Sequence, residues 1–404
     1  MQSDVENVEK PCWMLNVSEW ISPWHGEKMI PEVDNEIGKK TRQKLSRYPQ
    51  PIIQNIFFFK KKLIKYNDKS KGKTTMVKEE WKQQGYIDEP VAEGTDLQTE
   101  IRKMCREKKA IILAHYYTRG EIQEVADFIG DSLALARKAA TTDAKIIVMC
   151  GVHFMAETCK ILSPEKLVLT PDLNAGCSLA DSCKADDLKK FKNEHPGYKV
   201  VSYVNTTAAV KALTDIVVTS GNAKKIVDTL PEDEKIIFGP DYNLGSYINE
   251  VTGRKMLLWN GGCHVHERFS VGEIARLKQE HPDAVVLAHP ECKGPVLACA
   301  DVVGSTAVLL KYATEHPDRA FIVATEAGIL HEMQRACPST AFYPVPPEVS
   351  EGGVGCSCNE CDYMKMNTLL KIYNALKYEW PRVDVDQDVA REAVKPIERM
   401  LALS

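Results

Sequence analysis

The chain has 404 residues, of which 44% are hydrophobic and 27% charged, a composition typical of a compact globular protein that buries sizeable cores. With a net charge of −4, the chain offers no basic stripe that would bind phosphates, so we expect no nucleic-acid partner. No apolar run approaches the ~20 residues that span a bilayer, so we expect no membrane partner. The 13 cysteines lie mostly in apolar runs or beside glycine, unlike a disulfide framework. We therefore expect a reducing cytoplasm, where clustered thiols indicate a metal.

Residues 1–75 differ from the remainder of the chain. They lack sustained hydrophobic periodicity and end in the lysine-rich run KSKGK. Acidic residues near the start, with no small-residue cleavage site after an apolar core, argue against a signal peptide. We interpret this segment as an extension that is either disordered or not translated, with Met76 as an alternative start, and we expect residues 76–110 to form a helical lead-in.

One pattern then occurs three times without gaps. Each copy has an apolar run that ends in histidine or tyrosine, an aspartate 12 residues later, a hydroxyl side chain 17 residues later and another apolar run. Self-similarity at a long period indicates repeated supersecondary units. The matching residues are His115, Tyr203 and His289, then Asp127, Asp215 and Asp301, and then Ser132, Ser220 and Thr306.

The repeats predict an α/β fold of three pseudo-symmetric, three-layer α/β/α domains. Short apolar runs separated by helical periods are typical of parallel strands covered on both faces, and each repeat reads as strand, short helix, strand, helix, strand. Ligands of such sheets bind beyond the carboxyl ends of the strands, so we expect one central active site. The predicted segments are 111–195, 196–280 and 281–375 for the repeats, and 376–404 for a C-terminal helical segment that packs back on the first domain.

The repeated hydroxyl and aspartate side chains have separate predicted roles. Ser132, Ser220 and Thr306 each precede a helical stretch, which predicts helix N-caps beside free backbone amides, a suitable site for a polyanionic substrate. The alternative is that they only cap their helices. We assign the three aspartates to structure, as caps or hydrogen-bond acceptors at the turn into the second strand.

Acid–base candidates and thiols complete the predicted site. His115 is followed by Tyr117 and His289 by Glu291, pairs that could move protons. One cysteine follows the last strand of each repeat, and three thiolates at a common centre could hold a cluster with one iron open for substrate, or zinc. These cysteines are Cys177, Cys263 and Cys361; we interpret Cys150, Cys159 and Cys299 as packing residues and leave Cys183, Cys356 and Cys358 unassigned.

Over residues 95–404 the chain resembles the quinolinate synthase family of bacterial NAD biosynthesis. The resemblance is carried by the strings ILAHYY, GDSLALA, GVHFMAETCKILSPEK, PDLNAGCSLAD, YVNTTAAVKA, VVTSGNA, GCHVHE, AHPE, VGST, ATEAGI and CxxMKMNTL. It implies a [4Fe–4S] cluster held by three cysteines, and condensation of iminoaspartate with dihydroxyacetone phosphate to quinolinate, phosphate and water. It also implies functional coupling to an L-aspartate oxidase or aspartate dehydrogenase that produces iminoaspartate.

The resemblance also assigns roles to individual residues. The implied cluster ligands are Cys177, Cys263 and Cys361, the last because it directly precedes DYMKMN. An open iron would act as a Lewis acid, with proton transfer by Tyr117, His115, His289 and Glu291. The implied substrate contacts are His115, Tyr117, Ser132, Tyr203, Asn205, Ser220, His289, Glu291, Ser305 and Thr306.

Two other functions remain open from the residues alone. One is a redox-sensing or cluster-carrying protein, because the extra thiols of CSCNEC could pair reversibly or receive iron. The other is a zinc-dependent aldolase or dehydratase on the same scaffold. Metal content and turnover distinguish these alternatives.

Overall fold

The structure is a computed structural model that describes residues 64–67, 74–347 and 359–404. The chain divides into two units, Met1–Lys62 and Leu63–Ser404, and every described residue belongs to the second. Most of the predicted extension 1–75 therefore lies outside the described residues, as do Cys356 and Cys358.

Two short strands and two helices precede the first sheet. They are β1 (Ile64–Asn67), β2 (Thr74–Val77), α1 (Glu79–Gln84) and α2 (Leu97–Lys108). The strands pair antiparallel, and Val77 at the end of β2 packs with Trp81 of α1. Helix α2 begins after Asp96, whose carboxylate accepts a hydrogen bond from the Thr99 N–H at 3.2 Å. The segment predicted as a helical lead-in thus contains both helices.

Each repeat contributes one four-stranded sheet. The first comprises β3 (Ala110–His115), α3 (Gly120–Val125), β4 (Phe128–Gly130), α4 (Ser132–Thr141), β5 (Ile146–Cys150), α5 (His153–Leu162) and β6 (Leu167–Leu169), followed by α6 (Ser178–Ser182) and α7 (Ala185–Glu194). The second comprises β7 (Lys199–Tyr203), α8 (Ala208–Lys211), β8 (Ile216–Val218), α9 (Ala223–Asp228), β9 (Ile236–Gly239), α10 (Tyr242–Thr252) and β10 (Leu257–Leu258), followed by the 3₁₀ helix η1 (His266–Arg268) and α11 (Val271–Glu280). The third comprises β11 (Val285–Ala288), α12 (Gly294–Leu297), β12 (Val302–Val303), α13 (Thr306–Glu315), β13 (Phe321–Ala324), α14 (Ile329–Ala336) and β14 (Phe342–Pro344).

The three sheets share one strand order. In each, the first strand lies between the second and the third, the fourth lies outside the third, and every pairing is parallel. The predicted fold class of three α/β/α units is confirmed. The fourth strands were not predicted, because β6, β10 and β14 are only two or three residues long and carry no readable periodicity.

The repeated aspartates fix the crossover from the first strand to the second. Asp127 accepts a hydrogen bond from the N–H of Ile112 at 2.7 Å, Asp215 from that of Val200 at 2.8 Å, and Asp301 from that of Val286 at 2.8 Å. The structural role predicted for these carboxylates is confirmed: each accepts a hydrogen bond from a backbone amide of the first strand. Three equal bonds in three repeats show that this contact belongs to the scaffold.

The chain ends in α15 (Asp362–Lys365), α16 (Leu369–Tyr378) and α17 (Gln387–Leu403). Helix α16 packs against α2 and β5 of the first repeat. We expected residues 376–404 to pack on that repeat as well, but α17 lies mainly against α8 and β8 of the second, with α5 as its contact in the first. Its buried stripe of Ala393, Ile397 and Met400 explains this position, since it joins the core that the first two sheets share. Within the described ranges, no helix has both the length and the apolar character required to cross a membrane.

Candidate active site

The first strands of all three repeats end at one cavity. His115 ends β3, Tyr203 ends β7 and His289 follows β11, and all three line this cavity. Most other predicted site residues line it too, namely Tyr117, Ser132, Cys177, Asn205, Ser220, Cys263, Glu291, Thr306 and Cys361. Ser305 differs, because its hydroxyl caps α13 by accepting the Val308 N–H at 3.4 Å.

The three cavity cysteines share one local geometry. The backbone amides two and three residues after each cysteine lower the pKa of its thiol, although Cys177 and Cys361 make no side-chain cap hydrogen bond at the starts of α6 and α15. These amides are those of Leu179 and Ala180 for Cys177, Val265 and His266 for Cys263, and Tyr363 and Met364 for Cys361. Amides directed at sulfur favour the thiolate over the thiol, as helix starts do at reactive cysteines.

Burial opposes ionisation of the same thiols. It raises the pKa of Cys177 to about 12 and that of Cys361 to about 11, and it holds the pKa of Cys263 well above its ordinary value. A buried thiolate therefore requires a positive partner here, and a thiolate-bound metal or cluster supplies one. Three such sulfurs in one cavity fit a metal centre with three protein ligands.

A second set of possible metal donors lies beside Cys263. One ligand atom each from Cys263, His266 and Glu291 falls within 4.8 Å of the others. These atoms already interact with one another: His266 Nδ1 lies 2.8 Å from Glu291 Oε2 and 3.2 Å from Cys263 Sγ. The imidazole thus serves as the hydrogen-bonding link between a carboxylate and a thiol, which leaves less reason for a separate metal ion at this point.

The two strand-end histidines are held in the same tautomer. His115 Nδ1 accepts the N–H of Tyr117 at 3.1 Å, and His289 Nδ1 accepts the N–H of Glu291 at 3.3 Å. Burial lowers the pKa of both imidazoles to about 3, so both are neutral at pH 7. With Nδ1 occupied as acceptor, the proton resides on Nε2; for His289, this atom is 3.1 Å from Ser220 Oγ.

Glu291 contributes an ionised carboxylate to the cavity. Burial alone would raise the pKa of Glu291, but the charge interaction with His266 and its hydrogen bond outweigh burial and lower the value to about 2. The phenol of Tyr203 further lowers the pKa of this carboxyl, and burial keeps the pKa of Tyr203 well above its ordinary value. A carboxylate base and a protonated phenol therefore line the same cavity.

A hydrogen-bonded chain connects Tyr117 with Glu291 through two residues that sequence reasoning missed. The Tyr117 hydroxyl lies 2.9 Å from Thr325 Oγ1, and that oxygen lies 3.0 Å from His266 Nε2. Burial holds the pKa of Tyr117 well above its ordinary value, so its hydroxyl remains protonated. Both missed residues had a signal: His266 follows Cys263 by three positions, and Thr325 directly follows the third strand of its repeat.

The predicted N-cap role of the repeated hydroxyls is wrong. Asp131 caps α4 by accepting the Ala134 N–H at 2.9 Å, and Ser305 caps α13, so Ser132 and Thr306 are the first helical residues. In the second repeat, α9 begins after Asn222, two residues beyond Ser220. In the first and third repeats the preceding residue is the cap. The repeated hydroxyls instead line the cavity, where Thr306 Oγ1 lies 2.7 Å from the Tyr117 hydroxyl.

Four other cysteines discussed in the sequence analysis are either buried or exposed. Cys150 and Cys159 are buried in hydrophobic clusters, as predicted for packing residues, and Cys183 is buried in another cluster. The prediction for Cys299 is wrong, because this cysteine is exposed at the turn after the short helix α12. None of these four lines the cavity.

Three sheets that bring thiols, neutral imidazoles and a carboxylate to one cavity define an α/β enzyme with a cysteine-lined cavity for small molecules. The family model described as "Quinolinate synthetase A protein" matches residues 99–402. The chain belongs to this family, and the resemblance stated from its motifs is confirmed.

Curated relatives agree with this assignment. A protein of Nostoc sp. named "Quinolinate synthase" is 53% identical over 309 residues, which cover 76% of this chain and 94% of the relative. Proteins of the same name from Rippkaea orientalis and Synechocystis sp. are each 52% identical over 309 residues, again 76% of this chain, and 94% and 96% of the relatives. Such similarity over nearly the whole length of the relatives indicates an enzyme.

Proposed function

We propose that this protein is a quinolinate synthase of NAD biosynthesis, which condenses iminoaspartate with dihydroxyacetone phosphate to give quinolinate, phosphate and water. The observation that carries the proposal is the single cavity lined by one cysteine of each repeat and by the strand-end residues. Identity above 50% to relatives named quinolinate synthase supports it.

We further propose that Cys177, Cys263 and Cys361 hold a [4Fe–4S] cluster. Three protein ligands leave one iron for substrate, where a bound cluster would supply Lewis-acid polarisation of a substrate oxygen or nitrogen. The amide pairs that lower the pKa of the three thiols support this assignment, because backbone amides near sulfur stabilise the negative charge of a thiolate-bound cluster.

The proton-transfer roles that we propose follow from the charge states. Glu291 is the base, because it is an ionised carboxylate that lines the cavity, and Tyr117 is the acid, since its phenol stays protonated. His115 and His289, neutral and with Nε2–H free of the backbone, donate hydrogen bonds to developing negative charge on a substrate oxygen.

The proposed substrates carry two carboxylates and a phosphate, which require hydrogen-bond donors. We assign this role to the cavity hydroxyls and amide, with Ser305 acting through the helix start that it caps. The donors are Ser132, Tyr203, Asn205, Ser220 and Thr306. We also propose a cytoplasmic location and supply of the unstable imine by an L-aspartate oxidase or an aspartate dehydrogenase.

Turnover and metal content of anaerobically purified protein test the proposal. Iminoaspartate generated in situ is mixed with dihydroxyacetone phosphate, and quinolinate is measured by mass spectrometry against a reaction without the triose phosphate. We expect quinolinate together with about four iron and four sulfide per chain. Iron without quinolinate would favour a cluster carrier, and stoichiometric zinc with aldol or dehydratase products would favour the zinc enzyme.

A further inference from the structure

A buried ion pair lies beside Cys361. Glu326 follows β13 and is 0% exposed. Its Oε1 accepts the N–H of Cys361 at 2.9 Å, and its Oε2 accepts the N–H of Gly328 at 2.7 Å. The Nζ of Lys365 lies 3.0 Å from Oε1. Both carboxylate oxygens are therefore occupied, so Glu326 is poorly suited to transfer protons although it borders the cavity.

The same lysine extends the contact to the first repeat. Lys365 Nζ donates to the carbonyl oxygen of Tyr117 at 2.9 Å, and Arg119 Nε donates to the carbonyl oxygen of Lys365 at 3.1 Å. Helix α15 is thus bound at its start through Cys361 and at its end through Lys365. These bonds join the third repeat, the first repeat and the cysteine-bearing helix.

Close packing around Gly328 leaves little freedom for this arrangement. A Cβ atom at position 328 would lie 2.8 Å from Glu326 Oε2, 2.9 Å from Lys365 Nζ and 2.9 Å from the carbonyl carbon of Tyr117. The backbone amide of Cys263 also lies near a buried carboxyl, that of Asp241, and lowers its pKa, although burial outweighs this effect. The distinctive property of the Glu326–Lys365 pair is its lysine, which links a cysteine to the backbone of an acid–base candidate.

We propose that the Glu326–Lys365 pair is a positioning device that holds Cys361 and the backbone of Tyr117 in one fixed geometry. The inference rests on the proposed function in so far as Cys361 is a metal ligand. Removing one partner of a buried pair leaves an uncompensated charge, so either substitution should release the start of α15. Glu326→Gln also replaces one acceptor oxygen with an NH₂ group that cannot accept the Gly328 N–H.

Alkylation of the metal-free, full-length protein tests this role without turnover. Labelling rates of Cys177, Cys263 and Cys361 with iodoacetamide are measured by mass spectrometry in wild type, Glu326→Gln and Lys365→Met. We expect the Cys361 rate to rise about tenfold relative to the two other thiols in the same molecules, because loss of a buried pair frees the segment locally. Glu360→Gln is the matched control, since Glu360 also lies 3.4 Å from Lys365 Nζ but its side chain is 40% exposed; its ratio should match wild type.

Iron release gives the second readout. In metal-loaded protein, both substitutions should accelerate loss of iron to a chelator, and kcat per bound iron should fall while KM changes little. Unchanged Cys361 labelling in both variants, or equal rises at all three thiols, would overturn the positioning role. If wild-type protein binds no iron, the proposed function fails, whereas the labelling result stands independently.

Discussion

The first and third repeats differ from the second at the cavity, although the three sheets have the same strand order. In the first and third, a histidine at the strand end accepts the N–H two residues further on, and a cap residue stands directly before the repeated hydroxyl. In the second, Tyr203 stands in place of the histidine, and Ser220 contacts His289 of the third repeat. Repetition of the scaffold therefore does not repeat the chemistry.

A buried lysine shapes the edge of the second repeat. Lys211 is 0% exposed, and its Nζ donates to the carbonyl oxygens of Val204 at 2.8 Å and of Thr206. These carbonyls flank Asn205, which lines the cavity. The second repeat thus holds the end of its first strand with a buried lysine outside the cavity lining, whereas the other two have an imidazole at the end of the first strand that lines the cavity.

The largest expected effect concerns the cavity cysteine that each of the three repeats contributes. Alanine at Cys177, Cys263 or Cys361 should each abolish iron–sulfur absorbance and quinolinate formation, because three ligands leave no spare donor. Cys159→Ala is the matched control, since this buried thiol lies outside the main cavity; it should lower stability and retain metal. A full complement of iron in Cys263→Ala would contradict equal participation of the repeats.

A smaller effect should separate the hydroxyls from the caps. Ser132→Ala and Thr306→Ala remove cavity donors that are not caps, so kcat/KM should fall about tenfold with little change in the free energy of unfolding. Asp131→Ala and Ser305→Ala remove the caps and should cost about 1 kcal/mol of stability. Ser220→Ala should resemble the first pair in activity, since its hydroxyl also lines the cavity. Wild-type kcat/KM in all three hydroxyl variants would locate the anion site elsewhere.

Sequence periodicity predicted the scaffold because the central strands are continuous apolar runs. β3, β5, β7, β9, β11 and β13 are buried almost throughout, and the carboxyl ends of β3, β7 and β11 carry His115, Tyr203 and His289, the first residues of the repeated pattern. The cap positions were missed by one residue in the first and third repeats. In both repeats, the residue with the repeated hydroxyl and the residue before it are of types that commonly cap helices, and only backbone geometry distinguishes them.

The hydrogen-bonded support of the site could not be read from spacing. Thr325 and His266 meet across 59 positions, and Lys365 meets Tyr117 across 248. Such contacts depend on how the sheets approach one another, which no local pattern encodes. The three cysteines could be picked out from the sequence because each stands in a glycine- or turn-rich segment. The pair of backbone amides near each sulfur could be located only from the folded backbone.

The smallest expected effect is a pH dependence present in the first repeat and absent from the second. Burial lowers the pKa of His115 to about 3, against 6.5 for an ordinary histidine. Between these values the unfolded chain binds a proton that the folded chain does not, so stability rises with pH across this window and is lost as pH falls below 6.5.

Lowering the pH from 7 to 5.5 should therefore cost wild-type protein about 1 kcal/mol through this imidazole alone. In metal-free protein, urea unfolding of His115→Gln should show a loss smaller than that of wild type by about 1 kcal/mol, because His289, whose pKa burial also lowers to about 3, still contributes. Tyr203→Phe should retain the full wild-type loss, because a tyrosine at the equivalent strand end does not titrate in this range. The quantity to compare is the difference between the two pH values for each variant, which removes any constant effect of the substitution. An equal loss in His115→Gln and wild type would mean that His115 is accessible to protons in the folded state, and the contrast between the histidine and tyrosine strand ends would then be limited to hydrogen bonding.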